Sequence, residues 1–206
     1  DVCSSDLGGR VCMTTQRATV GYLAPEELRA AKGVSWSAAT AKPPVLPHAV
    51  PATPAPGPRP EDLAHLPEGR LRLVDEVTAF HAAGGPWERG YLRAVKRVRP
   101  EDWYFQAHFL NDPCIPAALL GEGCVQSLTL YCAALGLEPV RLLPIPDERF
   151  DYQGGGQVTP EAREIAYEVF VEQLRLDPMP TIRAHVLVTV DGAHPVLHTR
   201  LGMTLA

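Results

Sequence analysis

The polar and apolar positions change period along the chain, and each change marks an element. From Ile115 to Leu137 the side chains are apolar on nearly every face over a length that suits a helix, with Gly121 and Gly123 weakening its start and Gly136 near its stop. A helix that is apolar all round has to be wrapped, here by sheet. Leu71 to Phe80 and Trp87 to Val98 read as a hairpin around Ala82-Ala-Gly-Gly-Pro86. Arg149 to Val158, Glu164 to Leu176, Ile182 to Val190 and Pro195 to Leu205 then alternate as strands, with Asp191-Gly192 as a strong hairpin turn between the last two. One hairpin, a buried helix and four more strands predict an α+β fold in which an antiparallel sheet curls around a central helix.

Upstream the pattern is different. Arg10 to Leu23 is rich in β-branched residues and reads as a strand, and Ala24 to Gly33 follows as a short helix with proline at its start, acids in its first turn and glycine at its stop. Nine of the 21 prolines lie between Pro43 and Pro67. Proline fixes φ and removes a donor, so this run is expected to be an extended, semi-rigid linker outside any core. Asp1 to Leu7 reads in frame from GACGTGTGCTCTTCCGATCT, a sequencing-library adapter, and is set outside the fold expectation. The expected organisation is residues 1–7 as artefact, 8–36 as the end of a preceding unit, 37–68 as linker and 69–206 as the main domain.

Composition narrows the function classes. A 46% hydrophobic content supports a real core, and a net charge of −5 without a basic face argues against nucleic acid. Arg89, Arg93, Lys96, Arg97 and Arg99 are candidates for a small local docking patch, with a solvated strand face as the plainer reading. No run reaches the roughly 18 apolar residues of a membrane span, and no secretory signal pattern is present, so a cytoplasmic protein is expected. Cys3, Cys12, Cys114, Cys124 and Cys132 form no CxxC pair and read as small apolar side chains in a reducing compartment. His81, His185, His194 and His198 fall in turns or on strand faces without the company of a metal site, so no metal is expected. Gly154-Gly-Gly156 has no Lys-Ser/Thr after it and reads as a bulge or a close backbone approach rather than a phosphate loop.

The chemistry gathers in Trp103-Tyr-Phe-Gln-Ala-His-Phe-Leu-Asn-Asp-Pro-Cys-Ile-Pro-Ala-Ala-Leu-Leu-Gly-Glu122, which sets His108 and Glu122 fourteen positions apart (122 − 108) in apolar surroundings. Such surroundings favour the uncharged forms, an imidazole able to take a proton and a carboxyl able to give one. An elimination of water needs that pair. Gln126 lies one helical turn beyond Glu122 and can hydrogen-bond it. Asp112 reads as a cap of the turn into Pro113. For Glu122 the bland alternative is an acid complementing a helix start, and for His108 a satisfied core histidine.

This segment resembles the β-hydroxyacyl carrier-protein dehydratases of the β-hydroxydecanoyl type, and more closely the dehydratase domains of polyunsaturated-fatty-acid and polyketide synthases. His108, Asp112, Pro113, Pro116, Glu122 and Gln126 fall in register with the family pattern, and the likeness extends from Leu71 to Ala206. It implies a hot-dog fold, preceded by the tail of another hot-dog unit. It also implies dehydration of a (3R)-hydroxyacyl group on an acyl carrier protein to the trans-2-enoyl product. In that reading His108 takes the α proton and Glu122 protonates the departing hydroxyl. The backbone N–H of Ala117 stabilises the enolate oxygen, Asp112 and Gln126 support, and Trp103, Phe105 and Phe109 line the substrate tunnel. No cofactor is implied, because the phosphopantetheine arm arrives with the substrate, and a second hot-dog unit is the expected partner. Two positions depart from the family: Ala117 stands where it has glycine, and Leu120 precedes a displaced Gly121. A silent scaffold or carrier-docking domain and a hot-dog acyl thioesterase are the alternative readings.

Overall fold

A computed structural model describes residues 2–6, 11–16, 24–30, 33–42, 55–137, 141–192 and 194–206. The chain forms two compact units, Asp1–Ala31 and Lys32–Ala206. In the first, β1 (Val2–Asp6) pairs antiparallel with β2 (Val11–Gln16), and α1 (Pro25–Ala30) follows with Glu26 and Glu27 in its first turn. Residues set outside the fold expectation therefore form one strand of this hairpin.

The larger unit is a hot-dog fold. A seven-stranded antiparallel sheet runs in the order β3 (Glu76–His81), β4 (Tyr91–Arg97), β7 (Glu164–Arg175), β8 (Thr181–Val190), β9 (His194–Leu205) and β5 (Leu142–Pro144), with β6 (Asp151–Gly154) also pairing β9. The central helix α3 (Ala117–Ala134) packs on β4, β7 and β8 and is buried on nearly every side from Leu120 onward. On β8, Ile182, Ala184, Val186 and Val188 point to the helix, the period-two alternation of a sheet with one face in the core. At Gly123 the buried ring of Tyr167 on β7 lies so close that any side chain would collide with it, which lets helix and sheet approach. Asp191 and Gly192 both take positive φ, 50° and 77°, as a two-residue hairpin turn requires.

Three departures from expectation have physical causes. The first strand begins at Glu76 rather than Leu71, because Leu71 and Leu73 give their backbone groups to the buried side chain of Gln126 instead of to a neighbouring strand. The proline-rich run contributes to the core: Leu66, after the 3-10 turn Pro60–His65, is 4% exposed, and the partly buried Leu63 and Ala55 pack against the core. Residues Gly33 to Lys42, placed partly in a preceding unit and partly in the linker, belong to the larger unit, where Trp36 covers the outer face of the sheet.

Candidate active site

His108 ends the short helix α2 (Trp103–Ala107) in an extended conformation and is half-buried. Its Nδ1 lies 3.1 Å from the carbonyl oxygen of Cys114. A carbonyl can only accept, so Nδ1 carries the hydrogen and the neutral ring presents Nε2 as its unprotonated nitrogen. The Cys114 N–H returns a bond to the His108 carbonyl at 2.8 Å, and Phe109 and Asp112 exchange backbone bonds at 3.1 and 3.3 Å. The loop thus fixes the imidazole through its own backbone. Burial and the Asp112 carboxylate push the Cys114 thiol up, so it stands beside His108 as a neutral thiol and not as a nucleophile.

Glu122 lies in the second turn of α3, five residues past its first, so the reading of an acid at a helix start does not apply. One turn on, Gln126 is 2% exposed and every polar group of its amide is used. The Leu73 N–H donates to its Oε1 at 2.9 Å, which fixes the amide's orientation by chemistry. Its Nε2 donates to the Leu71 carbonyl at 2.7 Å and to Glu122 Oε1 at 3.0 Å. Glu122 is therefore held by one oxygen, and its Oε2 has no partner among the described residues.

Ala117 is the first residue of α3, with the extended Pro116 (ψ 135°) as N-cap. Its backbone is helical, and it is not among the residues with positive φ. The glycine freedom lost at this position is freedom the turn does not need. The N–H groups of a first helical turn have no intrahelical acceptor, and that of Ala117 is unbonded among the described residues.

Around this core, Phe105 is 5% exposed and packs edge-on to Tyr104, Trp103 donates Nε1 to the Arg70 carbonyl at 3.1 Å, and Phe109 is 57% exposed with its ring 3.9 Å from that of His108. Asp112 accepts from Gln157 Nε2 at 3.4 Å, so its side chain reaches across to the neighbouring segment. Tyr152 donates to the Ala117 carbonyl. Neither Tyr152, Gln157 nor the Leu71–Leu73 backbone was legible as part of the site.

No hydrogen bond or ion pair joins His108 to Glu122 among the described residues. A cavity of about 300 Å³ lies elsewhere, between the Pro60–His65 turn, β3 and Leu130 of α3, lined by Arg59, Asp62, Leu63 and Val77 among others. Four of the five cations of the basic stretch are engaged: Arg93 with Glu164 at 2.7 Å, Arg97 with Glu164 and Glu76 at 2.5 and 2.7 Å, Lys96 with Asp75 at 3.3 Å, and Arg89 on the Glu172 carbonyl at 2.9 Å. The stretch is a solvated, ion-paired strand face rather than an open basic patch. Among the described residues no cluster of His, Cys, Asp and Glu could hold a metal, and no helix is long and apolar enough to cross a membrane.

A long helix wrapped in antiparallel sheet defines a hot-dog protein. The FabA-like domain family matches residues 66–197, and the chain belongs to that family. Among solved structures the chain is similar in fold to the dehydratase heterocomplex ApeI:P from Xenorhabdus doucetiae, at 9% identity and TM-score 0.48, over 69% of this chain and 88% of that one. It is likewise similar to a hypothetical thioesterase protein with coenzyme A from Streptococcus pneumoniae TIGR4, at 8% identity and TM-score 0.45, over 64% and 84%.

Proposed function

We propose that the chain eliminates water from (3R)-hydroxyacyl groups carried on an acyl carrier protein, giving the trans-2-enoyl thioester, as part of a fatty-acid or polyketide synthase. The observation that carries this reading is the complementary fixation of the two side chains. His108 is tied through Nδ1 and Glu122 through Oε1, and among the described residues Nε2 of the one and Oε2 of the other have no partner. Nε2 takes the α proton of the thioester, the electron pair moves toward the carbonyl, and the N–H of Ala117 stabilises the oxygen on which charge grows. The β carbon–oxygen bond then breaks as Glu122 Oε2 delivers a proton to the departing hydroxyl, which leaves as water. The imidazolium and the carboxylate exchange one proton with solvent to reset. Each positioned acid or base is worth about 10²- to 10⁴-fold. No organic cofactor enters, since the thioester itself acidifies the α position.

Because His108 and Glu122 are not joined within one chain, and Phe109 and Leu110 beside His108 are 57% and 89% exposed, the working site is proposed to close against a second hot-dog unit, a second copy or another unit of a longer protein. The test is to incubate the protein with a 3-hydroxyacyl thioester and follow product mass, with His108→Ala alongside. Loss of one water that depends on His108 supports the reading. Release of free acid and thiol makes the chain a thioesterase, and no reaction from a folded, paired sample makes it a scaffold or carrier-docking domain.

A further inference from the structure

The outer face of the sheet carries a cluster that the proposed reaction does not use. Glu172, His185 and His198 are spaced thirteen residues apart (185 − 172 and 198 − 185) and meet through the register of β7, β8 and β9. His185 Nδ1 lies 2.9 Å from His198 Nε2, and His185 Nε2 lies 3.7 Å from Glu172 Oε2. Trp36 stacks on His198 and His185 with ring centroids 4.6 and 5.3 Å away, and Trp87 stacks on His185 at 4.9 Å. Trp36 belongs to a strap, Gly33 to Lys42, held at both ends: the Val34 N–H donates to the Pro195 carbonyl at 3.1 Å, and Trp87 Nε1 donates to the Lys42 carbonyl at 3.0 Å.

The anchored end of the strap abuts the candidate site's supporting segment. A Cβ on Gly155 would come within 2.5 Å of the Gly33 carbonyl carbon and 2.6 Å of the Val34 nitrogen, so this glycine exists in direct backbone contact with the strap. Two and three residues on, Gln157 donates to Asp112 at 3.4 Å, and the Val158 carbonyl accepts the Ile115 N–H at 3.0 Å. Both partners lie in the loop between His108 and α3.

We propose that the Gly33–Lys42 strap is an acid-released clamp on the loop that carries His108, latched by Trp36 over the His185–His198 pair. The latch follows from counting hydrogens. The contact between the rings holds one hydrogen, and the neutral pair has one more, which sits on His185 Nε2 facing the Glu172 carboxylate. A further proton has only His198 Nδ1 left to occupy, and that atom is buried without an acceptor among the described residues.

The charges facing the pair do not relieve this. Glu172 on β7 is already bound by Arg200 of β9 at 2.7 and 3.1 Å, Arg200 also lies 3.5 Å from Glu148, Glu148 is bound by Arg183 of β8, and Asp151 of β6 is paired with Arg149. Burial accordingly pushes both histidines down from 6.5 to about 4. A released strap exposes them and lets them return toward 6.5, so the docked form is fully favoured above about pH 6.5 and loses ground as the pH falls toward 4.

Amide exchange at a fixed pH of 7.5 tests the clamp on the full chain. Trp36→Ala should speed exchange at both Val34 and Ile115 on the order of tenfold with Val186 in β8 unchanged, and Trp36→Phe, which keeps a stacking ring, should restore both. Faster exchange at Val34 with Ile115 unmoved overturns the clamp. Tryptophan emission between pH 8 and 4 tests the latch: a reversible step below about pH 6.5 at constant far-UV circular dichroism is expected, and His198→Phe should remove it. No step, the same step in His198→Phe, or a step shared with loss of the far-UV signal overturns a local latch. Only a kinetic arm rests on the dehydratase reading: Trp36→Ala should lower kcat several-fold, with His108→Ala as reference. An active His108→Ala sinks that reading and leaves the exchange and emission results to stand.

Discussion

The two sides of the sheet each carry histidine and glutamate, and they treat them in opposite ways. On the helix side, His108 and Glu122 are half-buried, each held through one atom, with the second atom left without a partner among the described residues. On the outer side, His185 and His198 are bound to each other, stacked under Trp36 and set against a carboxylate that Arg200 already occupies. The first arrangement leaves proton positions available to a ligand; the second uses them for packing and forbids one more proton. Shared residue types do not make a catalytic site: what separates the two is which lone pairs and hydrogens the scaffold consumes.

The sharpest way to break this comparison is to exchange the consequences of the two histidines. His108→Ala should lower turnover of a 3-hydroxyacyl thioester by about 10²-fold or more while shifting the denaturation midpoint little, because a half-buried imidazole contributes few core contacts; steady-state kinetics beside urea melts would show it. Ala117→Pro comes next. Proline is well accepted at the first helical position, and Pro116 already has the extended backbone that precedes proline. This substitution should therefore keep the helix, remove the N–H and cost on the order of 10²-fold in kcat. An Ala117→Pro variant with undiminished kcat would remove the proposed oxyanion role from this amide.

Gln126→Leu should destabilise the domain by about 1–3 kcal/mol, since it strands the buried Leu73 N–H and removes the bond to the Leu71 carbonyl, and it should also lower kcat by releasing Glu122. On the outer face, stability should rise between about pH 4 and 6.5 and flatten above, in the sense set by the two lowered histidines. His198→Phe should make that slope shallower in urea melts run at each pH. Tyr152→Phe is the mildest change: it loses one exposed hydrogen bond to the Ala117 carbonyl, and a loss of about 1 kcal/mol or less in stability is expected.

The inner face was legible because its residues are close in the chain. The all-round apolar run named the buried helix, alternation named the long strands, and His108, Glu122 and Gln126 fell within one segment. The outer face was not, because Glu172, His185 and His198 become neighbours only after three strands have been paired in register. Each taken alone is a polar residue on a strand. The same limit hid the grip of Leu71 and Leu73 on Gln126, more than fifty positions away. It also hid the ion pairs that neutralise the basic stretch. Proline content was misleading in one respect: a run that cannot join a sheet ladder still delivered Leu66 to the core.

The amide of Gln126 behaves as a measuring peg. One side chain reads the position of the entering chain through Leu71 and Leu73 and, with its remaining hydrogen, sets the aim of Glu122. Any insertion or deletion between Leu66 and Leu73 would thus be transmitted to the acid without touching it. In grafting this domain onto a different leader, the join belongs upstream of Leu66.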